Sequence, residues 1–187
     1  MLQIRVRLFF ITAVLCLSWA FAAPPAAAEE DQDRLKALYL YNFLLFVDWP
    51  DHPFTDRETL RIAVIGDDTL YEFMRLLSGK SIQGRELVVE RFETMEDLPL
   101  PCHVIFIGEA KRGLAPGIIQ RVKGAPVLTV SDMTGFTDMG GMVYFKQLGC
   151  PKNLIECPKR FDILLGAVKD ADLSIRSRLL RLSDIVK

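Results

Sequence analysis

Histidine is nearly missing from this chain: His52 and His103 are the only two in 187 residues. Acid–base catalysis near neutral pH draws on histidine more than on any other side chain, so little of that chemistry is on offer. Nucleotide-binding signals are missing too. The first strand-like run continues into "VIGDDTLYEF", without the Gly-x-Gly-x-x-Gly of a dinucleotide fold. "SGKS", Ser78–Ser81, lacks the upstream glycine of a phosphate loop and follows a helical pattern instead of a strand, so it reads as a loop. No Gly-x-Ser-x-Gly elbow occurs, and no Cys-x-x-Cys, which removes the hydrolase nucleophile turn and the thioredoxin-type redox pair. Neither sign of charge dominates: 23 Lys and Arg face 24 Asp and Glu. Such a balance gives no broad basic field for nucleic acid or an anionic membrane surface. No repeat or low-complexity tract divides the chain, and beyond residue 28 no apolar run approaches the roughly 20 residues that cross a bilayer.

The opening "MLQIRVRLFFITAVLCLSWAFAAPPAAAEEDQDR" is organised differently. Arg5 and Arg7 form a short basic region, Leu8–Phe21 is apolar almost without a break, and Ala-x-Ala patterns follow at Ala20–Ala22 and Ala26–Ala28. This is the layout of a cleaved secretory signal, with the cut expected after Ala28. Leu15 stands before Cys16 where lipoprotein processing needs a small residue, so lipidation is not expected. Residues 1–28 are then the signal and 29–187 the exported domain, of a size to fold around one core. Without Arg5 and Arg7 the domain carries 21 basic and 24 acidic residues, a net charge near −3.

Within that domain, helix and strand patterns alternate. "DRLKALYLYNFLLFVDWP" predicts a helix capped by Asp31 or Asp33, with Leu35, Leu38, Tyr39, Asn42, Phe43, Phe46 and Val47 on its apolar face, ended by Pro50. "TLRIAVIGD", "RELVVERF", "CHVIFIGE", "APVLTVSD" and "GGMVYFKQL" predict strands, and "LIECPKRFDILL" holds at least one more. "DTLYEFMRLLSG" and "GLAPGIIQRVKG" predict helices closed by Gly79 and Gly124. "LGAVKDADLSIRSRLLRLSDIV" reads as helical, with Asp172 capping a second segment whose apolar face includes Ile175, Leu179, Leu180, Leu182 and Ile185. The alternation implies one α/β domain: a mixed, mostly parallel sheet flanked by helices, with an antiparallel edge near the end of the chain.

Few residues carry candidate chemistry. Asp67 and Asp68 follow the first strand, where carboxylates either act on a ligand or cap the next helix; capping is the expectation. His52 sits in the turn-like "DWPDHPF" and reads as a solvated loop residue. Cys102 and His103 are adjacent at a strand start, so they point to opposite faces and make a poor nucleophile–base pair. Cys102, His103, Cys150 and Cys157 could supply four metal ligands, but structural zinc sites use tight pairs about two to four residues apart, and six residues separate Cys150 from Cys157. No metal and no cofactor is expected. In an oxidising compartment Cys150 and Cys157 are instead expected to form a disulfide. It would tie the "GGMVYFKQL" strand to the "LIECPKRF" strand, where Pro151 and Pro158 leave the ladder incomplete, and is worth roughly 2–3 kcal/mol by loop-closure entropy. Cys102 is left as an unpaired thiol.

The order of "LKALYLYNFLLFVDWP", "LRIAVIGDD", "GRELVVERF", "CHVIFIGE", "VLTVSDMTGF" with "GGMVYF", and "RFDILLGAVKDADLSIRSRLLRLSDIVK" resembles the YfiR family of small exported bacterial proteins, over about residues 33–187. The resemblance implies a periplasmic regulator without enzymatic activity. It would bind and repress the periplasmic portion of an inner-membrane diguanylate cyclase, restraining cyclic-di-GMP and biofilm, and would be a homodimer. An OmpA-like outer-membrane lipoprotein would sequester it, and its redox state would tune repression. The resemblance also matches Cys150 and Cys157 to the family's late disulfide and Cys102 to one half of an earlier one. The other half would fall at Ala63, so that second bridge cannot form within this chain. The family's polar Asn after the Phe-acid-apolar stretch is replaced here by Leu164.

A repressor needs surface, and exposed aromatics anchor such surfaces. Trp49, Phe54 and Phe136 lie in loop-like segments and form the candidate partner surface. Two other classes compete. A metabolite-binding module acting on a membrane sensor kinase would use the crevice at the strand ends near Gly66–Asp68 and Gly108–Glu109. An exported enzyme would have to bring Asp67, His103 or Cys102 together.

Overall fold

In the computed structural model, residues 26–51, 54, 56, 58–98, 100–146 and 160–186 are described. The first helix, α1 (Ala26–Phe46), starts earlier than the aspartate caps predict, so Asp33 lies inside it. It stops before Pro50 because the chain is drawn into a short strand, β1 (Val47–Asp48), and residues preceding a proline disfavour helix. Its buried face is Ala37, Leu40, Phe43 and Leu44, continued by Val47 of β1, while Leu38, expected inside, is 54% exposed. Apolar residues occur all round this helix, so periodicity alone does not set its rotation.

The main sheet is built from β2 (Thr59–Ile65), β3 (Ser81–Ile82), β4 (Arg85–Phe92), β5 (Val104–Ile107), β6 (Leu128–Ser131), β7 (Val143–Phe145), β8 (Phe161–Leu164) and β10 (Ser183–Val186). Their order across the sheet is β10-β8-β7-β6-β5-β2-β4-β3. Pairing is parallel except for β7 with β8 and β3 with β4. Helix α2 (Asp68–Arg75) follows β2, and α3 (Ala115–Arg121) follows β5 after a 3₁₀ turn at Glu109–Leu114. Alternate strand residues face two separate cores. Leu60, Ile62, Val64, Val104 and Phe106 join α1 and α2 in one. Ala63, Ile65, Ile105 and Ile107 join Ala115 and Ile118 of α3 in the other. Burial on both faces is why the central strands read as unbroken apolar runs.

An aromatic cluster locks α1 onto β7 and β8. Phe161 meets Phe43 edge-on at 5.1 Å between ring centres, Tyr39 edge-on at 5.1 Å, and Phe145 at 5.2 Å. Such pairs add about 0.5–1.5 kcal/mol each beyond the area they bury.

The end of the chain departs most from the sequence pattern. The predicted long helix is four pieces: α4 (Leu165–Asp170), β9 (Ser174–Ile175), α5 (Ser177–Leu180) and β10. Asp172 is no cap; it takes a left-handed turn at φ 56°, a conformation aspartate tolerates better than most residues. β9 pairs antiparallel with β1, setting Val47 opposite Ile175. β10 adds to β8 in parallel and forms the edge, with Ile185 exposed. The antiparallel pair β7–β8 is therefore interior, which corrects the expectation of an antiparallel edge near the end of the chain; the antiparallel edge is β3 on β4 instead. Lys146 spans these strands, 2.7 Å from Asp162 and 2.8 Å from Asp184. Cys150 and Cys157, the expected disulfide, lie outside the described residues, as does His52.

Candidate functional site

At β2 the strand order reverses: the chain runs from β2 to β4 on one side, then crosses to β5 on the other. The carboxyl ends of β2 and β5 are therefore the place where an α/β sheet opens a ligand crevice. Here the crevice is filled from within. Gly66 has φ +74°, and a Cβ on it would run into the Lys111 side chain; a Cβ on Gly108 would run into the Gly66 carbonyl. Asp67 caps α2 as expected, its Oδ1 accepting the Leu70 N–H at 2.8 Å. Its Oδ2 accepts from Lys36 Nζ at 2.8 Å. Lys36 reaches this spot from α1 and also meets Asp33 at 2.7 Å and Asp132, just past β6, at 3.0 Å. Burial works against the Lys36 charge, but the bonds to Asp33 and Asp67 and the field of Asp132 outweigh it and hold its pKa above the ordinary lysine value. Three carboxylates thus share one half-buried ammonium, and Asp132 Oδ1 has no hydrogen-bond partner among the described residues. Asp68 pairs with Arg91 at 3.1 Å, and Glu109 with Arg112 at 2.6 Å.

The opposite end of β5 carries His103, which is 2% exposed. Its ring stacks on Phe54, 3.9 Å between centres at 9°, with Trp49 edge-on at 5.8 Å. The Trp49 indole N–H donates to the His103 carbonyl at 3.0 Å. Nδ1 accepts the Arg61 backbone N–H at 3.1 Å, and Nε2 lies 3.1 Å from an Arg85 guanidinium nitrogen. Burial first, and then the Arg85 charge, push the imidazole pKa down to about 4. A protonated ring would break the Arg61 bond and face a cation. The sign follows directly: from about pH 6.5 down to 4 the unfolded chain binds a proton that the folded one refuses. This group's stabilisation is thus complete above 6.5, is lost through that window, and changes no further below 4. The loss is on the order of 3 kcal/mol. Urea unfolding at pH 7, 5.5 and 4.5 should show a steeper fall for the wild type than for His103→Gln; equal slopes would contradict the assignment.

The three aromatics expected at a partner surface are buried in the chain's own interior. Trp49 (9% exposed) and Phe54 (5%) close over His103, and Phe136 (0%) packs against Gly141 in the α3-side core. A position between secondary-structure elements did not keep them in water, because each covers apolar neighbours. Cys102 is free and fully buried in the core that also holds Ala63, Ile105 and Phe136. Burial pushes its thiol up to about 12, so it stays protonated and unreactive at neutral pH. His103 faces the other core, so Cys102 and His103 do not meet. Asp67 belongs to the far end of the sheet, beyond Gly108, about 16 Å from His103 at the usual strand rise. The three groups an enzyme would need are not assembled.

Sequence reasoning missed the Lys36 hub. Its only local signal is Asp33 one turn earlier, since the other two partners arrive from 31 and 96 residues away. It also missed a groove of about 410 Å³ between α3 and α4, floored by Ile119, Met139, Met142 and Leu164, with Lys123 and Asp170 among its lining residues.

The chain belongs to the YfiR/HmsC-like family, whose model matches residues 33–184. That family is one of periplasmic regulators of diguanylate cyclases. No curated protein matches the chain.

Proposed function

We propose that residues 29–187 are exported to the periplasm after cleavage of the signal and there bind and repress the periplasmic portion of an inner-membrane diguanylate cyclase. The observation that carries this reading is the family match, which spans nearly the whole domain. The filled crevice and the separated Asp67, His103 and Cys102 are what a binding protein without turnover of its own would show. In this reading the chain pairs as a homodimer, and an OmpA-like outer-membrane lipoprotein relieves repression by sequestering it. Deleting the chain should raise cellular cyclic-di-GMP, and adding back the exported domain should lower it. Unchanged cyclic-di-GMP in the deletion strain would reject the proposal.

The Cys150–Cys157 disulfide belongs to this reading. The β7–β8 ladder continues outward through a bond from the Lys146 N–H to the Arg160 carbonyl at 2.9 Å, so the segment bearing both cysteines joins two paired strands. Replacing either cysteine with serine should lower stability by roughly 2–3 kcal/mol and weaken repression. Unchanged melting and unchanged cyclic-di-GMP in both variants would show the bridge to be dispensable.

One observation favours a second reading, a metabolite-binding module acting on a membrane sensor kinase. The groove of about 410 Å³ is within the size range of small-molecule sites and mixes apolar and charged residues. Under that reading, the purified domain would carry a small molecule, and the deletion would leave cyclic-di-GMP unchanged.

A further inference from the structure

One face of α1 carries a patch at the margin of the core, against which both of its rings pack. Tyr39 and Phe46, both half-buried, stand seven positions apart on one side of the helix, about 10 Å along its axis. A guanidinium lies over each ring: Arg160 over Tyr39 at 5.3 Å from the centre, and Arg178 over Phe46 at 5.7 Å. The two arginines come from different elements. Arg160 precedes β8 and donates its N–H to the Leu182 carbonyl at 3.1 Å. Arg178 lies on α5, and Arg181 follows it by three residues, which places both on one side of that turn. Arg178 and Arg181 are exposed. None of these three cations has a carboxylate partner among the described residues. Arg176 shows the contrast: Asp48 holds it with two bonds, at 2.6 and 3.2 Å. Leu38 on α1 and Leu182, in the turn between α5 and β10, are 54% and 48% exposed.

Arginine and aromatic residues are the types enriched at the centres of protein interfaces. A guanidinium resting on a ring has already given up much of its side-chain freedom, so pairing it with a carboxylate costs less order. The sign of the patch selects among partners. Residues 29–187 are net acidic, yet here three cations cluster unneutralised. A second copy docked through this face on a two-fold axis would set the same cations against each other. Carboxylates of a different protein would neutralise them.

We propose that Arg160, Arg178 and Arg181, with Tyr39 and Phe46, form the docking face for an acidic surface on the protein this chain regulates. The inference rests on the repressor reading and names the contact through which repression would act.

A photo-crosslinking amino acid at Ser177, exposed on α5, is compared in the native host with one at Lys123, exposed beside the groove. Position 177 should capture a membrane protein with a diguanylate cyclase domain, through a peptide rich in Asp and Glu; position 123 should not. With the captured periplasmic domain purified, Arg178→Glu with Arg181→Glu should weaken binding at least about tenfold and flatten its salt dependence. The double variant should melt as the wild type does. Capture of a second copy of the chain at 177, or of the cyclase from 123 alone, overturns the docking face and leaves repression standing. So does unchanged affinity in the double variant. No capture of a cyclase from either position, with cyclic-di-GMP unaltered by deletion, removes both proposals.

Discussion

Phe161→Ala should cost about 3–5 kcal/mol, the range for truncating a buried phenylalanine. Phe161 is fully buried and is the ring that α1, β7 and β8 share, through Tyr39, Phe43 and Phe145. Removing it opens a void that the sheet backbone cannot close by moving one neighbour, so transfer and cavity costs add. Phe161→Leu, which keeps most of the volume, should lose less than half as much. Leu38→Ala on the exposed side of α1 should change stability by no more than about 0.5 kcal/mol. Urea unfolding of the three variants orders them. A Leu38 effect equal to that of Phe161 would mean that α1 is seated in another rotation.

Lys36→Met should be next in size, about 3 kcal/mol. The change leaves Asp33, Asp67 and Asp132 together without their cation, and breaking a largely buried ion pair from one side typically costs about 3–5 kcal/mol. Their side chains retain 15, 11 and 25% exposure, which lets water screen part of the repulsion. In a domain of this size the loss lowers the melting temperature by about 6–12 °C. Adding Asp132→Asn to Lys36→Met should recover part of the loss, since it removes the carboxylate whose Oδ1 is already without a partner. A melting temperature within about 2 °C of the wild type would show that the four groups are not coupled.

The strands at the centre of the sheet were legible because burial on both faces makes β2, β5 and β6 nearly continuous apolar runs bounded by glycine or polar residues. Asp67 as a cap was legible because capping is a local event, three residues long. The rotation of α1 was not, since Leu38 and Leu40 look alike until one of them meets the sheet. At the other end of the chain, Ile175, Leu179 and Leu182 recur at helical spacing by coincidence, while the backbone breaks into two strands and two single turns. Trp49 and Phe54 were misjudged because the group they cover, His103, lies about 50 residues further on. The candidate surface was invisible for the same reason: Arg160 and Arg178 are drawn together by the pairing of β8 with β10 and by the helix whose rings they cover.

The pairing of β1 with β9 has a consequence for the order in which the molecule assembles. Val47 meets Ile175, and Asp48 meets Arg176, across a separation of 128 residues in each case. Synthesis delivers the amino-terminal helix first, and although Gln83 holds the Leu44 and Val47 carbonyls, the strand at its exit finds its partner only when nearly all of the polypeptide is at hand. Long-range closure of this kind slows folding and leaves apolar segments exposed meanwhile. The earliest-made helix is seated on the sheet by Phe161 and Lys36 but closed at its exit last, so a truncation that spares every strand before Ser174 would leave β1 without a partner strand.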